Sequence, residues 1–226
     1  MKRVIVAIDG PAGAGKSSVA KAVAQKLGLA LVDTGAIYRC VALAAKRADI
    51  EWTDDDGLAR LLPWLDIAFK FEDGVNHVSM RGEDVTEAIR TPEITKGASA
   101  VSARPVVRAG LLELQRKLAR GAEVGAVLEG RDIGTVVFPE APVKMYVTAS
   151  DEVRAERRQK ELAAKGVEVP VTEVLEDQKK RDRDDSTREV APLRPASDAM
   201  LLDTSTMPLE AVIDAVVARV EKALKA

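Results

Sequence analysis

The sequence has one cysteine, Cys40, in 226 residues, so no internal disulfide can form. That suits a reducing compartment. There is one histidine, His77, with no second histidine or cysteine at ligand spacing. It reads as a surface residue rather than part of a zinc site. Aromatic residues make up only 3% of the chain, so the core must be aliphatic and alanine-rich. Cys40 then reads as a small buried apolar residue, and Trp52 and Trp64 as packing within a minor lobe. No apolar run approaches the roughly 20 residues that span a bilayer. The run after Met1-Lys2-Arg3 lasts only five residues, too short for a signal peptide. The net charge of −2 gives no global attraction for nucleic acid. Arginines do crowd residues 154–194, but Asp and Glu are interleaved with them. The expectation is a cytoplasmic monomer with no membrane or nucleic-acid partner. At this length, with 46% apolar residues, one domain with a substantial core is expected.

What the chain does have begins at Gly10. Gly10-Pro11-Ala12-Gly13-Ala14-Gly15-Lys16-Ser17 fits G-x-x-x-x-G-K-S/T, the phosphate-binding loop. Glycines let backbone N–H groups close around an anion, and the following helix adds its positive end. Lys16 would reach the β- and γ-phosphates, and the Ser17 hydroxyl would bind Mg²⁺. The context fits as well. Val4–Ile8 reads as a buried strand feeding the loop, and Val19, Ala20, Val23, Ala24 and Leu27 recur at helical spacing before a capping Gly28.

Five short apolar runs without alternation read as strands of a parallel sheet: 4–8, 29–32, 126–128, 143–147 and 199–202. Helical patterns between them predict α/β architecture. The last helix opens at Met207-Pro208 with an apolar stripe of Leu209, Val212, Ile213, Val216, Val220 and Leu224. Two stretches break the alternation. In the first, a helix at 37–47 precedes a helix start at Thr53-Asp54-Asp55-Asp56, which Pro63 should end or kink. Ile67, Phe69 and Phe71 then alternate with Ala68 and Lys70, and Asp73-Gly74 turns the chain into Val75–Met80, a β-hairpin. A further helix from Pro105 carries Val107, Leu111, Leu114 and Leu118 inward. The second stretch, 150–194, starts a helix at Ser150-Asp151-Glu152, breaks at Lys165-Gly166 and resumes to Asp185. This helical hairpin has little apolar surface and reads as a mobile lid.

Ligands of an open parallel sheet bind beyond the carboxyl ends of its strands. Those ends carry the phosphate loop, then Asp33-Thr34-Gly35-Ala36-Ile37-Tyr38-Arg39, then Glu129-Gly130-Arg131-Asp132-Ile133-Gly134. Carboxylates, glycines and arginines together suit a metal and a second phosphorylated ligand, since a guanidinium fork grips phosphate oxygens. Asp33 and Glu129 read equally as caps or as functional groups. Arg39 and Arg131 read as ligand-binding, and Arg154, Arg157 and Arg158, with the Arg181–Asp185 run, as solvated helix faces.

These segments, with Gly130-Arg131-Asp132-Ile133-Gly134-Thr135-Val136-Val137-Phe138-Pro139 and Arg188-x-x-Ala191-Pro192-Leu193, strongly resemble the bacterial cytidylate kinases over essentially the whole chain. The resemblance implies phosphorylation of CMP and dCMP by ATP with Mg²⁺. It implies an α/β P-loop kinase core with a five-stranded parallel sheet (1–36, 123–150 and 195–226), an inserted monophosphate-binding lobe with a β-hairpin (about 37–122) and a short helical lid (about 151–194). Gly10, Pro11, Ala12, Gly13, Ala14, Gly15, Lys16, Ser17 and Ser18 would hold ATP. Thr34, Tyr38, Arg39 and Arg131 would line the monophosphate site, and Ser99, Arg108 and Asp132 would read cytosine. Arg181 and Asp185 would meet the sugar, with Arg188 near the phosphates. Lys16, Arg131 and Arg188 would be the catalytic groups. The chain departs from many members in having Glu129 where they have Asp, and in its Ser17-Ser18 pair.

Cytosine's amine suits an aspartate acceptor, and its O2 and N3 suit an arginine donor. Uracil would face Asp132 with a carbonyl, a mismatch of roughly 1–3 kcal/mol. Other readings remain: a kinase of the same architecture with another acceptor, a nucleotide-driven switch or motor, or a nucleic-acid binder. A guanine switch would carry N-K-x-D, which is missing from the sequence.

Overall fold

A computed structural model describes residues 3–72, 74–164 and 166–225. Its centre is strand β1, Val4–Asp9, followed in chain order by α1 (Lys16–Leu27), β2 (Ala30–Asp33) and α2 (Thr34–Arg47). Next come α3 (Asp55–Leu61), the hairpin strands β3 (Ile67–Glu72) and β4 (Val75–Met80), and the short β5 (Glu83–Asp84). Helices α4 (Pro92–Ser102) and α5 (Pro105–Arg120) lead to β6 (Gly125–Gly130) and β7 (Val143–Thr148). Helices α6 (Asp151–Ala163) and α7 (Val171–Thr187), strand β8 (Met200–Asp203) and helix α8 (Leu209–Lys225) complete the chain.

The five-stranded sheet has order β2-β6-β1-β7-β8, and every pair in it is parallel. Its side chains alternate between two cores. Ala7, Val32, Ala126 and Leu128 face α2, α4 and α5, whereas Val6, Ile8, Leu31, Val127 and Met145 face α1 and α8. All five expected strands are present. The second starts at Ala30 rather than 29 because Gly28 ends α1 in a left-handed turn at φ 64° and Leu29 N still donates to Ala24 O. The fifth starts at Met200 because Ala199 N closes a turn onto Ala196 O.

Helix α2 begins three residues before the expected 37, since the Asp33 carboxylate caps Ala36 N at 3.0 Å. Asp54 caps α3 in the same way, and Pro63 converts its end to a 3₁₀ turn, Leu62–Trp64. That turn points Trp64 outward at 72% exposure, so it is not the lobe packing expected of it; Trp52 is half-buried and donates to Ala42 O. The hairpin pairs Ile67 with Met80 and Glu72 with Val75. Asp73 of the expected turn lies outside the described residues, and Gly74 has the positive φ, 74°, that such a turn needs. Leu114 and Leu118 of α5 are half-buried, and Val107 and Leu111 fully buried. At the two ends of α8, Leu209 and Leu224 overhang the core and are exposed, while Val212, Val216 and Val220 are buried. Lys165, the expected break after α6, lies outside the described residues.

Among the described residues no helix is long and apolar enough to cross a membrane.

Candidate active site

Strands β1, β2 and β6 end at one rim of the sheet, where Asp33 pairs with Glu129 and Asp9 with Gly130. The phosphate loop leaves β1 there. A Cβ on Gly10 would sit 1.9 Å from Val147 O, and its φ is +147°, so only glycine fits. Gly15 precedes α1 in the left-handed region, and neither a side-chain cap nor an acid occupies the first turn of α1. The first N–H groups of the helix are therefore left to an anion. Lys16 Nζ folds back onto Pro11 O at 2.6 Å. Burial pulls its pKa well down, and nearby Arg131 adds to this. Ser17 and Ser18 are exposed on the first turn of α1.

The Ser17 hydroxyl donates to Glu129 Oε2 at 2.7 Å. Burial drives the Glu129 pKa up, and Asp33 pushes it further the same way. Asp33 and Glu129 thus separate into two roles. Asp33 is spent on its helix cap, whereas the Glu129 carboxyl faces the Ser17 hydroxyl.

Because α2 begins at Thr34, Thr34 and Tyr38 lie one turn apart on one face. Thr34 Oγ1 donates to Glu129 O at 2.7 Å. Burial raises the Tyr38 phenol to about 12. The Arg108 guanidinium lies 5.5 Å from the centroid of its ring. Arg108 Nη2 donates to Asp132 Oδ2 at 2.5 Å, in a pair buried on both sides. Arg188 Nη2 stands 3.9 Å from the other Asp132 oxygen and donates through Nε to Ala191 O at 2.6 Å. Asp185 joins this group to the phosphate loop side, accepting from Arg131 Nε at 2.9 Å and pairing with Arg188 at 3.4 Å. Burial opposes the charge on Asp185, but Arg131, Arg181 and Arg188 outweigh it and hold the pKa below its ordinary value. Arg181 is pulled down to about 10 by burial and then by Arg131.

Three guanidinium nitrogens in this cluster are buried with no hydrogen-bond partner among the described residues: Arg108 Nε, Arg181 Nε and Arg188 Nη2. Buried charged donors without acceptors are rare and costly, so the cluster is built for a ligand that brings oxygens. Arg39 is half-buried on the next position of α2, with Asp33, Arg90, Arg158 and Glu129 as its charged neighbours. Ser99 joins the network only through its backbone: its carbonyl accepts from Ser102 Oγ at 3.0 Å, and Ser102 O accepts from Arg108 Nη1 at 3.1 Å. The Ser99 hydroxyl donates along its own helix to Thr95 O at 3.5 Å.

The α6–α7 hairpin buries few apolar groups, as the sequence suggests, yet polar contacts tie it to the phosphate loop. Arg154 is not part of a solvated face: its side chain is 3% exposed and binds Ala12 O at 2.9 Å, Asp182 at 2.6 Å and Asp151 at 2.6 Å. Arg157 reaches Thr204 Oγ1 at 2.9 Å, and Thr204 in turn donates to Ala14 O at 3.1 Å. Of these three only Arg158, paired with Glu161, matches the solvated reading, and Arg181 and Asp185 depart from it too, because α7 turns them into the buried arginine cluster. Gln178 is buried beside Gly13, where a Cβ would lie 2.9 Å from its Nε2. His77 lies on the hairpin surface beside Asp84 at 3.2 Å.

Sequence reasoning passed over Asp9, Gln178 and Thr204 and misplaced Arg154. Each is positioned by partners far away in sequence, so no local pattern marks it.

The profile of the family described as cytidylate kinase matches residues 6–222. The cytidylate kinase of Geobacter sulfurreducens is 54% identical over 211 residues, 93% of this chain and 90% of its own. That of Pelotomaculum thermopropionicum is 49% identical, covering 95% of each. Among solved structures, an uncharacterized protein from Eubacterium ventriosum superposes with a TM-score of 0.53 at 13% identity, over 97% of this chain and 99% of that one. At that identity the likeness concerns the fold alone.

Proposed function

The chain is a member of the cytidylate kinase family, and we propose that it transfers the γ-phosphoryl group of ATP to CMP and dCMP, giving CDP or dCDP and ADP. The observation that carries this reading is the set of buried, unpartnered guanidinium nitrogens on Arg108, Arg181 and Arg188 beside a phosphate loop. Two anionic ligands fit such a rim, one on the loop and one on the arginines.

ATP lies on Gly10–Ser18, where its phosphates replace Pro11 O as the partner of Lys16. Thr34, Tyr38, Arg39 and Arg131 surround the monophosphate. Asp132 accepts from the cytosine amine while Arg108 and Ser99 donate to the base, and Asp185 with Arg181 takes the sugar. The donor chemistry of Ser17 and Glu129 suits Mg²⁺, which favours hard oxygens and few protein ligands. The ion, when bound, neutralises charge on the phosphates. Lys16, Arg131 and Arg188 stabilise the moving phosphoryl group. No general base is required, because the acceptor phosphate has its second pKa at roughly 6. Alignment of two bound nucleotides supplies the rest, by direct in-line transfer.

The chain works as one kinase domain: a core (1–36, 123–150, 195–226), a monophosphate-binding lobe (37–122) and the 151–194 hairpin as a lid that excludes water. We take it to act as a monomer, and the lone buried Cys40 supports a cytoplasmic setting.

Turnover on CMP, dCMP, UMP, AMP and GMP tests the acceptor. ADP release with and without CMP tests the class. A kinase needs the acceptor, so equal ADP release in its absence would defeat the proposal.

A further inference from the structure

The chain leaving β6 runs through Arg131 and Asp132 into a π-helical turn, Ile133–Val137. The first N–H groups of such a turn have no acceptor inside it. Asp132 holds the N-cap position, where an aspartate ordinarily folds its carboxylate back over those groups. Here it makes no cap bond. Its carboxylate instead faces Arg108 Nη2 at 2.5 Å. The cap is supplied from the neighbouring strand, β1. Asp9 Oδ1 accepts from Ile133 N at 2.8 Å, and Asp9 Oδ2 from Gly134 N at 2.7 Å.

Asp9 is 3% exposed and is the last residue of the central strand, paired with Gly130 on one side and Tyr146 on the other. The next residue, Gly10, is wedged against Val147 O. Asp9 therefore cannot drift, and both its oxygens are committed. Burying a carboxylate is costly, and a turn start could be capped more cheaply by Asp132 itself. What the distant cap achieves is the release of the Asp132 side chain.

We infer that Asp9 is a positioning residue for base selection, capping the 133–137 turn in place of Asp132 so that the Asp132 carboxylate stays aimed, with Arg108, at the base of the acceptor. The inference rests on the proposed reading of cytosine by Asp132. Because Asp9 adjoins the phosphate loop, one side chain thereby sets the register between the loop and the base-reading pair. Without it, Ile133 and Gly134 N–H groups seek an acceptor, and Asp132 turns back to serve them.

The test compares kcat/KM on CMP and on UMP for the unaltered protein, Asp9→Asn, Gly134→Ala and Asp132→Ala. An asparagine keeps the shape but presents N–H to one of two N–H donors. Gly134→Ala crowds the same end of the turn, since its Cβ would lie 3.2 Å from Lys144 Cδ and 3.4 Å from Asp9 Oδ2. It carries the comparison should Asp9→Asn not fold. The expected result is a fall of about fivefold or more in the CMP-over-UMP ratio for Asp9→Asn, the scale of one hydrogen bond. A merely structural cap would lower turnover on both nucleotides alike. If Asp132→Ala collapses the ratio while Asp9→Asn and Gly134→Ala leave it within about twofold, the inference is overturned and the reading of cytosine by Asp132 stands. If Asp132→Ala leaves the ratio intact, that reading fails and the inference falls with it.

Discussion

The Ser17 hydroxyl and the Glu129 carboxylate meet at 2.7 Å, although 112 residues separate them in the chain. The contact joins the start of α1 to the end of β6 at the floor of the proposed metal site. Glu129→Gln keeps the shape and removes the charge. The Mg²⁺ concentration for half-maximal turnover should rise about tenfold or more, the usual effect of losing a metal-supporting carboxylate. Because burial already disfavours that charge, thermal stability should hold or rise. Turnover titrated with Mg²⁺ at saturating CMP reads the first effect and a melting curve the second. An unchanged Mg²⁺ requirement removes Glu129 from the site.

Lys16→Ala should lower kcat by about 100-fold or more, the scale for deleting one preorganised donor to developing charge. The KM for CMP should change little, since its proposed contacts lie on other elements. Steady-state kinetics with both substrates varied separates the two. Near-normal turnover would take Lys16 out of the mechanism.

Arg154 joins Ala12 O, Asp151 and Asp182 in one buried contact. Arg154→Met would leave Asp182 without its partner, at a cost of about 3 kcal/mol. For a chain of this size that corresponds to roughly 6–12 °C in melting temperature. The KM for ATP should rise as well, because the phosphate loop loses its clasp. Calorimetry and an ATP titration would show it; a melting point unmoved by more than a degree would contradict the assignment.

Burial lifts the Asp9 pKa from an ordinary 3.8 to about 6, against the pull of the Gly134 and Ile133 N–H groups. The folded protein therefore binds this proton more tightly than the unfolded chain does. Its contribution to stability is greatest below about pH 4 and is lost as pH rises to about 6, on the order of 3 kcal/mol in all. Asp9→Asn cannot titrate. The stability of the unaltered protein relative to Asp9→Asn should thus fall across pH 4–6 and level off above 7. Urea melts of both proteins over that range would reveal it, and a flat difference would refute it.

Much of this was legible in the sequence for identifiable reasons. The parallel strands are short aliphatic runs, and the phosphate loop is a contiguous motif. Helix α4 escaped notice because its inward positions, Ile94, Gly97, Ala98 and Val101, include little bulk. What fixes it is Trp52, whose ring lies where a Gly97 side chain would be. The two residues of β5 are both acidic and pair only through β4. Trp64 looked like packing because tryptophan is usually buried, but the turn at Pro63 aims it at solvent. Arg154 looked solvated because its neighbours in the sequence are charged. Its burying partners come from residues 12, 149 and 182, which only the folded chain assembles. Asp9 is a single acid after an apolar strand, and nothing nearby announces that it caps a turn 124 residues away.

The one thiol is wholly buried on α2, and burial pushes its pKa up to about 12. A maleimide dye should therefore ignore the native protein, without any need to remove Cys40 first. A cysteine introduced at the exposed Arg183 of α7, with a second at the exposed Trp64, would take a donor and acceptor fluorophore pair selectively. Single-molecule distance traces could then follow the hairpin during turnover, with the native sulfhydryl as an internal alarm for unfolding.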